Sequence, residues 1–274
     1  MSIRMVALDL DGTTFNSEGK LTDHTKSTLE KAAAQGVHIV VSTGRSYNSL
    51  PQIIKEVKGI EYAITSNGAH INDLATGESV YDDYIFPDNI ERIIEMKEKY
   101  NCGLEVFIDG QAYMDEATYR DIEINGSEIR NTEYILWSRK PTENIEELLR
   151  QNSHKIENCN FCFDGPEQAA HAKPEIVKIP NAQITSSFVN NLEIGGSHTS
   201  KKTALIELMS RLDVDRSELM CCGDAPNDIQ MIEYAGIGVA MGNAWGGTKD
   251  HADFVTASND EDGVALAIEK FVLK

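Results

Sequence analysis

Three short apolar runs near the start of the chain each break off into a polar loop. Ile3 to Leu8 ends at Asp9-Leu10-Asp11-Gly12-Thr13, residues 37–41 end at Ser42-Thr43-Gly44-Arg45, and residues 62–65 end at Ser66-Asn67-Gly68. Runs this short and this rich in β-branched residues read as strands buried on both faces. Between the first two, residues 25–35 read as a helix with Leu29 and the Ala32-Ala33-Ala34 run inward and Gly36 closing it. Strand, helix, strand in this rhythm predicts a doubly wound, parallel, Rossmann-like α/β sheet with right-handed crossovers. The C-terminal part repeats it. A helix over 202–212 leads to a strand over 219–222 and the loop Gly223-Asp224-Ala225-Pro226-Asn227-Asp228, where Pro226 marks the first turn of a helix running to about Tyr234. Further strands follow at 238–241 and 253–256, with a closing helix over 262–271.

The middle of the chain changes character. Helical stretches (89–100, 144–151) alternate with strand-like ones (104–108, 160–163, 176–178), and none ends in an acidic loop. This predicts an α/β domain inserted into the first, entered near Tyr84-Ile85-Phe86-Pro87 and left near Asn190-Asn191. The expected division is a core of 1–83 and 191–274, with an inserted domain over 84–190.

Charge narrows the partners. Lys plus Arg number 25 against 44 Asp plus Glu, a net −19 that repels nucleic acid and anionic membrane surfaces. At 41% hydrophobic and 25% charged, the chain has the composition of a folded, soluble protein. No apolar stretch reaches the roughly 18 residues of a membrane span, and Asp9 interrupts the N-terminal run before a signal-peptide core could form. The five cysteines, an odd number without an export signal, predict reduced thiols in a cytoplasm. Cys159-Asn-Phe-Cys162 has redox or zinc spacing but lacks a second pair, and Phe161 and Phe163 make it read as strand. Composition leaves the oligomeric state open.

In an open parallel sheet, ligands sit beyond the carboxyl ends of the strands. Those ends carry Asp9, Asp11, Thr43, Asn67, Asp224, Asn227 and Asp228. One such residue usually caps a helix or makes a turn. Their joint arrival at strand ends is what that bland account fails to explain.

The order D-x-D-G-T, then S/T-G, then Lys, then G-D-x-x-x-D resembles the haloacid dehalogenase superfamily, and within it the bacterial Cof-type sugar phosphatases, whose subclass IIB cap is inserted between the second and third motifs. The resemblance spans the whole predicted core, on through Met231 to Gly236 and Glu261 to Ala265, and is only architectural in the insertion. It implies a magnesium-dependent phosphatase acting on a small phosphorylated metabolite, a sugar phosphate by class. Asp9 would attack phosphorus to give an aspartyl-phosphate, with Asp11 as general acid and then general base. The Leu10 amide, Gly44 and the Thr43 hydroxyl would cradle phosphate. Mg2+ would be bound by Asp9, Asp224 and the Asp11 carbonyl. The resemblance alone places Asp228 behind the metal and Asn227 on the phosphate. Arg45 and Asn67 face the same mouth, where they could touch phosphate or substrate hydroxyls but could equally be structural. His198, in a Gly-Gly-Ser run, reads as a loop residue.

This chain departs from the family at Ser200-Lys201-Lys202-Thr203, where a glycine usually follows the lysine, and at Ala225-Pro226. Registering Ser-Lys-Lys-Thr-Ala-Leu on Ser-Lys-Gly-Thr-Ala-Leu puts the phosphate-binding amine on Lys201. A phosphomutase would share the aspartyl-phosphate, so the core motifs leave that alternative open. A non-catalytic phospho-ligand binder has no need of Asp11 beside a nucleophile. Substrate choice is expected to lie in inserted-domain side chains such as those around residues 105–113.

Overall fold

The structure, a computed structural model, describes residues 2–127 and 130–273. The chain divides into two compact units. The first comprises residues up to Gly44, Pro51–Asp82 and everything from Ser200 onward, and the second comprises Arg45–Leu50 and Asp83–Thr199.

The first unit is built on an eight-stranded sheet. Its spatial order is Phe254–Val255, Ile237–Ala240, Leu219–Gly223, Met5–Leu8, His38–Ser42, Ile60–Thr65, His70–Asp73 and Ser79–Asp82. The first six strands run parallel. Met5 and Ala7 point into an apolar cluster with Ala204, Leu205, Leu208, Met231 and Ala235 from the helices Lys201–Leu212 and Ile229–Tyr234. Val6 and Leu8 alternate to the opposite face and are as deeply buried. Both faces are therefore covered, which explains why these strands read as unbroken apolar runs.

The last two strands are a correction to an all-parallel sheet. His70–Asp73 and Ser79–Asp82 form an antiparallel hairpin on the edge. Its turn is held by the Asp73 carboxylate, which accepts from the backbone N–H of Ala75 and Thr76, with Gly77 at φ +75°. Mixed edges of this kind are common on doubly wound sheets.

The second unit has a six-stranded sheet in the order Gln183–Thr185, Asn191–Gly195, Ile156–Cys162, Gly103–Ile108, Gln111–Asp115 and Arg139–Thr142. All its pairings are antiparallel except the last. One face packs an apolar cluster that includes Ile93, Leu104, Val106, Leu149, Phe161, Ala172 and Leu192. Because Asn191–Gly195 pairs with Ile156–Cys162, the return to the first unit comes at Ser200 and not near 191. The strand expected at 176–178 is also overturned. Gly165 and Pro166 start a helix, Pro166–Ile176, whose alanines Ala169 and Ala172 pack inward; the β-branched pair Ile176-Val177 only closes it. Cys159 and Cys162 lie three apart on one strand, so their side chains leave opposite faces, and burial pushes the Cys162 thiol up to about 12. That excludes a shared zinc or a reactive dithiol. Among the described residues, no helix is long and apolar enough to cross a membrane.

Candidate active site

Leu8 pairs with Cys222 on one side and Val41 on the other, so the strand ends of the first unit align and the loops beyond them meet. Asp9 follows directly and is 6% exposed. The chain then wraps through Leu10–Thr14, with Asp11 extended and exposed and Gly12 at φ +77°. A Cβ at Gly12 would lie 2.5 Å from Asp224 Oδ2, so glycine leaves room for that carboxylate. Thr13 Oγ1 donates to Asp224 Oδ1 at 2.7 Å, Thr14 Oγ1 to the Asp9 carbonyl at 2.5 Å, and Asn243 Nδ2 to the Gly12 carbonyl at 2.8 Å.

Lys201 stands at the centre of the charges. Its ammonium donates to Asp9 Oδ1 and to Asp228 Oδ1, each at 2.6 Å, and the residue is 1% exposed. Burial alone would lower its pKa, but Asp228 and Asp9 outweigh burial and hold the amine protonated. Ser200 caps the helix Lys201–Leu212 by accepting from the Thr203 N–H, which orients the first turn. Lys202 is only partly buried. Asp228 has both oxygens engaged: Oδ1 by Lys201, Oδ2 by the backbone N–H of Asp224 (3.0 Å) and Ala225 (3.1 Å). It anchors the lysine and the loop that presents Asp224.

Carboxylate oxygens of Asp9, Asp224 and Asp228 lie within 4.8 Å of one another. Three buried acids face one buried ammonium. Burial first, then neighbouring acids, pushes Asp224 up to about 7; burial, opposed by Lys201, raises Asp9 well above the usual carboxylate range. An all-oxygen donor set with surplus buried negative charge suits a hard divalent cation.

Beside this cluster, the loops after the second and third parallel strands are tied together. Asn67 N–H donates to the Thr43 carbonyl at 3.1 Å, and Thr43 is 1% exposed. Gly44 passes so close to Asn67 that a Cβ there would sit 3.1 Å from its Oδ1. Asn227 Nδ2 gives one hydrogen to Asn67 Oδ1 at 3.0 Å, while Asn227 Oδ1 is buried without a partner. That oxygen calls for a donor, such as water or a hydroxyl, which refines its expected role as a phosphate contact. Gly68, at φ +102°, lies against the helix start: a Cβ would come within 2.2 Å of the Ser200 carbonyl oxygen. Gly68→Ala is therefore expected to cost about 1–3 kcal/mol in backbone strain alone and to lower the thermal midpoint measurably by circular dichroism; an unchanged midpoint would contradict this packing.

Arg45 belongs to the second unit, where its guanidinium stacks 4.1 Å over the Tyr134 ring and donates to the Ser49 carbonyl. His198 also belongs there, with its ring against the Ser197 hydroxyl. Thr13 stands in the D-x-D-G-T motif but was given no role, and Thr14 and Asn243 escaped the sequence reading. Thr14 follows the motif directly and was within reach of it; Asn243 carries no local signal.

A family profile described as haloacid dehalogenase-like hydrolase matches residues 6–268. The uracil phosphatase YcsE of Bacillus subtilis, named for 5-amino-6-(5-phospho-D-ribitylamino)uracil, is 29% identical over all of this chain and 97% of its own. Phosphatase YwpJ of the same organism is 28% identical over 96% of this chain and 98% of its own. A solved haloacid dehalogenase-like hydrolase from B. subtilis superposes with a TM-score of 0.85 at 27% identity, covering 98% of this chain and 100% of that one. A solved subclass IIB sugar phosphatase shares the fold, with a TM-score of 0.82 at 24% identity over 98% of both chains. With the acids, the lysine and the threonine loop gathered at the ends of its parallel strands, and a profile match over nearly its whole length, the chain belongs to the haloacid dehalogenase-like hydrolases.

Proposed function

We propose that the chain is a magnesium-dependent phosphatase that hydrolyses a small phosphorylated metabolite, a sugar or sugar-alcohol phosphate by class, through an aspartyl-phosphate on Asp9. The observation that carries this reading is the buried Asp9 carboxylate at a strand end, 2.6 Å from an ammonium it shares with Asp228. A lysine between two acids opposes the upward push of burial on the Asp9 carboxylate and leaves positive charge where phosphoryl oxygens would gather. The substrate class is supported by relatives named for a phosphorylated ribityl chain and for sugar phosphates.

In the first step an Asp9 oxygen forms a bond to phosphorus, and the bond from phosphorus to the ester oxygen breaks with its electron pair leaving on that oxygen. Asp11, exposed two residues on, supplies the proton that makes it an alcohol. In the second step water adds to phosphorus, Asp11 takes its proton, and the Asp9–phosphorus bond breaks to regenerate the carboxylate and release inorganic phosphate. Thr43, Gly44 and the Leu10 amide bind the phosphoryl oxygens. Asp9, Asp224 and the Asp11 carbonyl would hold Mg2+, which supplies the charge that lets a dianion approach three acids. The five free cysteines, four of them buried, fit a reducing cytoplasm.

Two measurements test this. Exhaustive EDTA treatment should remove turnover of a phosphomonoester, and Mg2+ should restore it; full activity without a divalent cation would end the metal assignment. Asp11→Asn should slow both formation and hydrolysis of the intermediate, by about 10²–10⁴-fold in rapid-quench single-turnover experiments. Wild-type rates would move the acid/base role elsewhere. An isomeric sugar phosphate in place of free phosphate as product would identify a mutase.

A further inference from the structure

Asn67 stands where three loops of the first unit meet. It lies in the buried turn Ser66–Gly68, whose residues hold φ of +50°, +58° and +102° in succession. Glycine takes up this left-handed backbone freely and asparagine tolerates it, whereas serine does neither. Two adjacent non-glycine residues held there cost free energy, and such a turn persists only where its surroundings over-determine it. Here they do. Asn72, on the edge hairpin, donates from Nδ2 to Thr65 Oγ1 at 2.9 Å and steadies the end of the strand that feeds the turn. The Asn67 N–H holds the Thr43 carbonyl at 3.1 Å. Gly68 packs so close to the peptide between Ser200 and Lys201 that a Cβ would run into it. Asn67 Oδ1 accepts from Asn227 Nδ2 at 3.0 Å. One strained turn therefore fixes the Thr43 loop, the start of the Lys201 helix and the Asn227 loop against one another.

Of these contacts, the bond to Asn227 carries a chemical choice. A primary amide presents an acceptor on one side and two donors on the other. An acceptor at Asn67 takes the NH2 end, which turns the Asn227 carbonyl oxygen away from it. That oxygen is buried and has no partner among the described residues. Holding a buried acceptor in such an orientation is costly unless a ligand supplies the donor.

We propose that Asn67 is a positioning residue: acting through Asn227, it locks the amide so that the carbonyl oxygen receives a hydroxyl of the bound ligand. This role rests on the phosphatase reading of the site. Asn67→Gly isolates the side chain, because glycine keeps the left-handed turn. In initial-rate assays with a phosphomonoester at saturating Mg2+, it should raise KM by about tenfold and leave kcat within about threefold of the parent, as expected when a contact common to ground and transition state is lost. Inorganic phosphate, titrated calorimetrically in Mg2+, should bind about tenfold more weakly. A lower kcat and thermal midpoint with KM unchanged would mark a merely structural residue and overturn the assignment. A double-mutant cycle adds the coupling. In an Asn227→Ala background, Asn67→Gly should change KM by less than about twofold, because the side chain it steers is gone; a further tenfold or so would mean that Asn67 acts on its own. Should the glycine variant fail to fold, Asn67→Asp keeps an accepting oxygen at the same place, so Asn227→Ala should cost as much there as in the parent, and loss of that effect would overturn the role. If Asp9→Asn is inactive while Asn67→Gly keeps the parent KM, only this role fails; if Asp9→Asn stays active, the phosphatase reading itself has failed.

Discussion

Asp9→Asn should abolish phosphate release, a loss of about 10⁴-fold or more, without loosening the fold. The amide is nearly isosteric with the carboxylate but cannot attack phosphorus. Stability should hold for a specific reason. Lys201 keeps Asp228 as its ionic partner at 2.6 Å, so the substitution leaves no orphaned ammonium, and it removes one of three buried acids that otherwise repel each other. Without added metal, the thermal midpoint of the variant is expected to equal or exceed that of the parent. Phosphate release and a circular dichroism melt measure both halves of the statement. Activity within about tenfold of wild type would mean that another group attacks phosphorus.

The second large effect belongs to Lys201. Lys201→Met removes the one charge between Asp9 and Asp228 and leaves both carboxylates buried without an ammonium, a loss of about 3–5 kcal/mol in stability. It should also reduce kcat/KM by about 10²–10³-fold, the scale for removing one pre-organised electrostatic contact. Lys202, one position on and so about 100° around the helix, is partly exposed, and Lys202→Ala should stay within about threefold of wild type. Steady-state kinetics at a Mg2+ concentration that keeps both variants folded separates the two. A larger loss in Lys202→Ala would shift the functional lysine by one residue.

The contrast between these lysines shows where sequence reasoning was strong and where it stopped. Ser200 as helix cap and the first-turn position of both lysines could be read from local chemistry, because a cap needs only one hydroxyl and the next three amides. The parallel strands were legible for a similar reason: a strand covered on both faces must be apolar along its length. The edge hairpin 70–82 was missed, although Asp73 and Gly77 make its turn, because polar residues at an edge blur the pattern. The helix Pro166–Ile176 was misread at its last turn, where β-branched residues outvoted the alanines before them.

What the sequence by itself determined was the set of groups delivered to the strand ends: Asp9, Asp11, Thr43, Asn67, Lys201, Asp224, Asn227 and Asp228 all follow strands or open helices whose periodicity is local. Tertiary structure alone decided how those groups pair. The Lys201 bridge joins residues 192 and 27 positions apart in the chain. The Asn227–Asn67 bond spans 160 positions, and Arg45 was drawn to Tyr134 by a ring no local pattern could place beside it. Such pairings depend on which strands become neighbours and on how much water is excluded between them. Both are properties of the packed sheet, since burial is what makes a surplus carboxylate costly and an ammonium between two acids worth keeping.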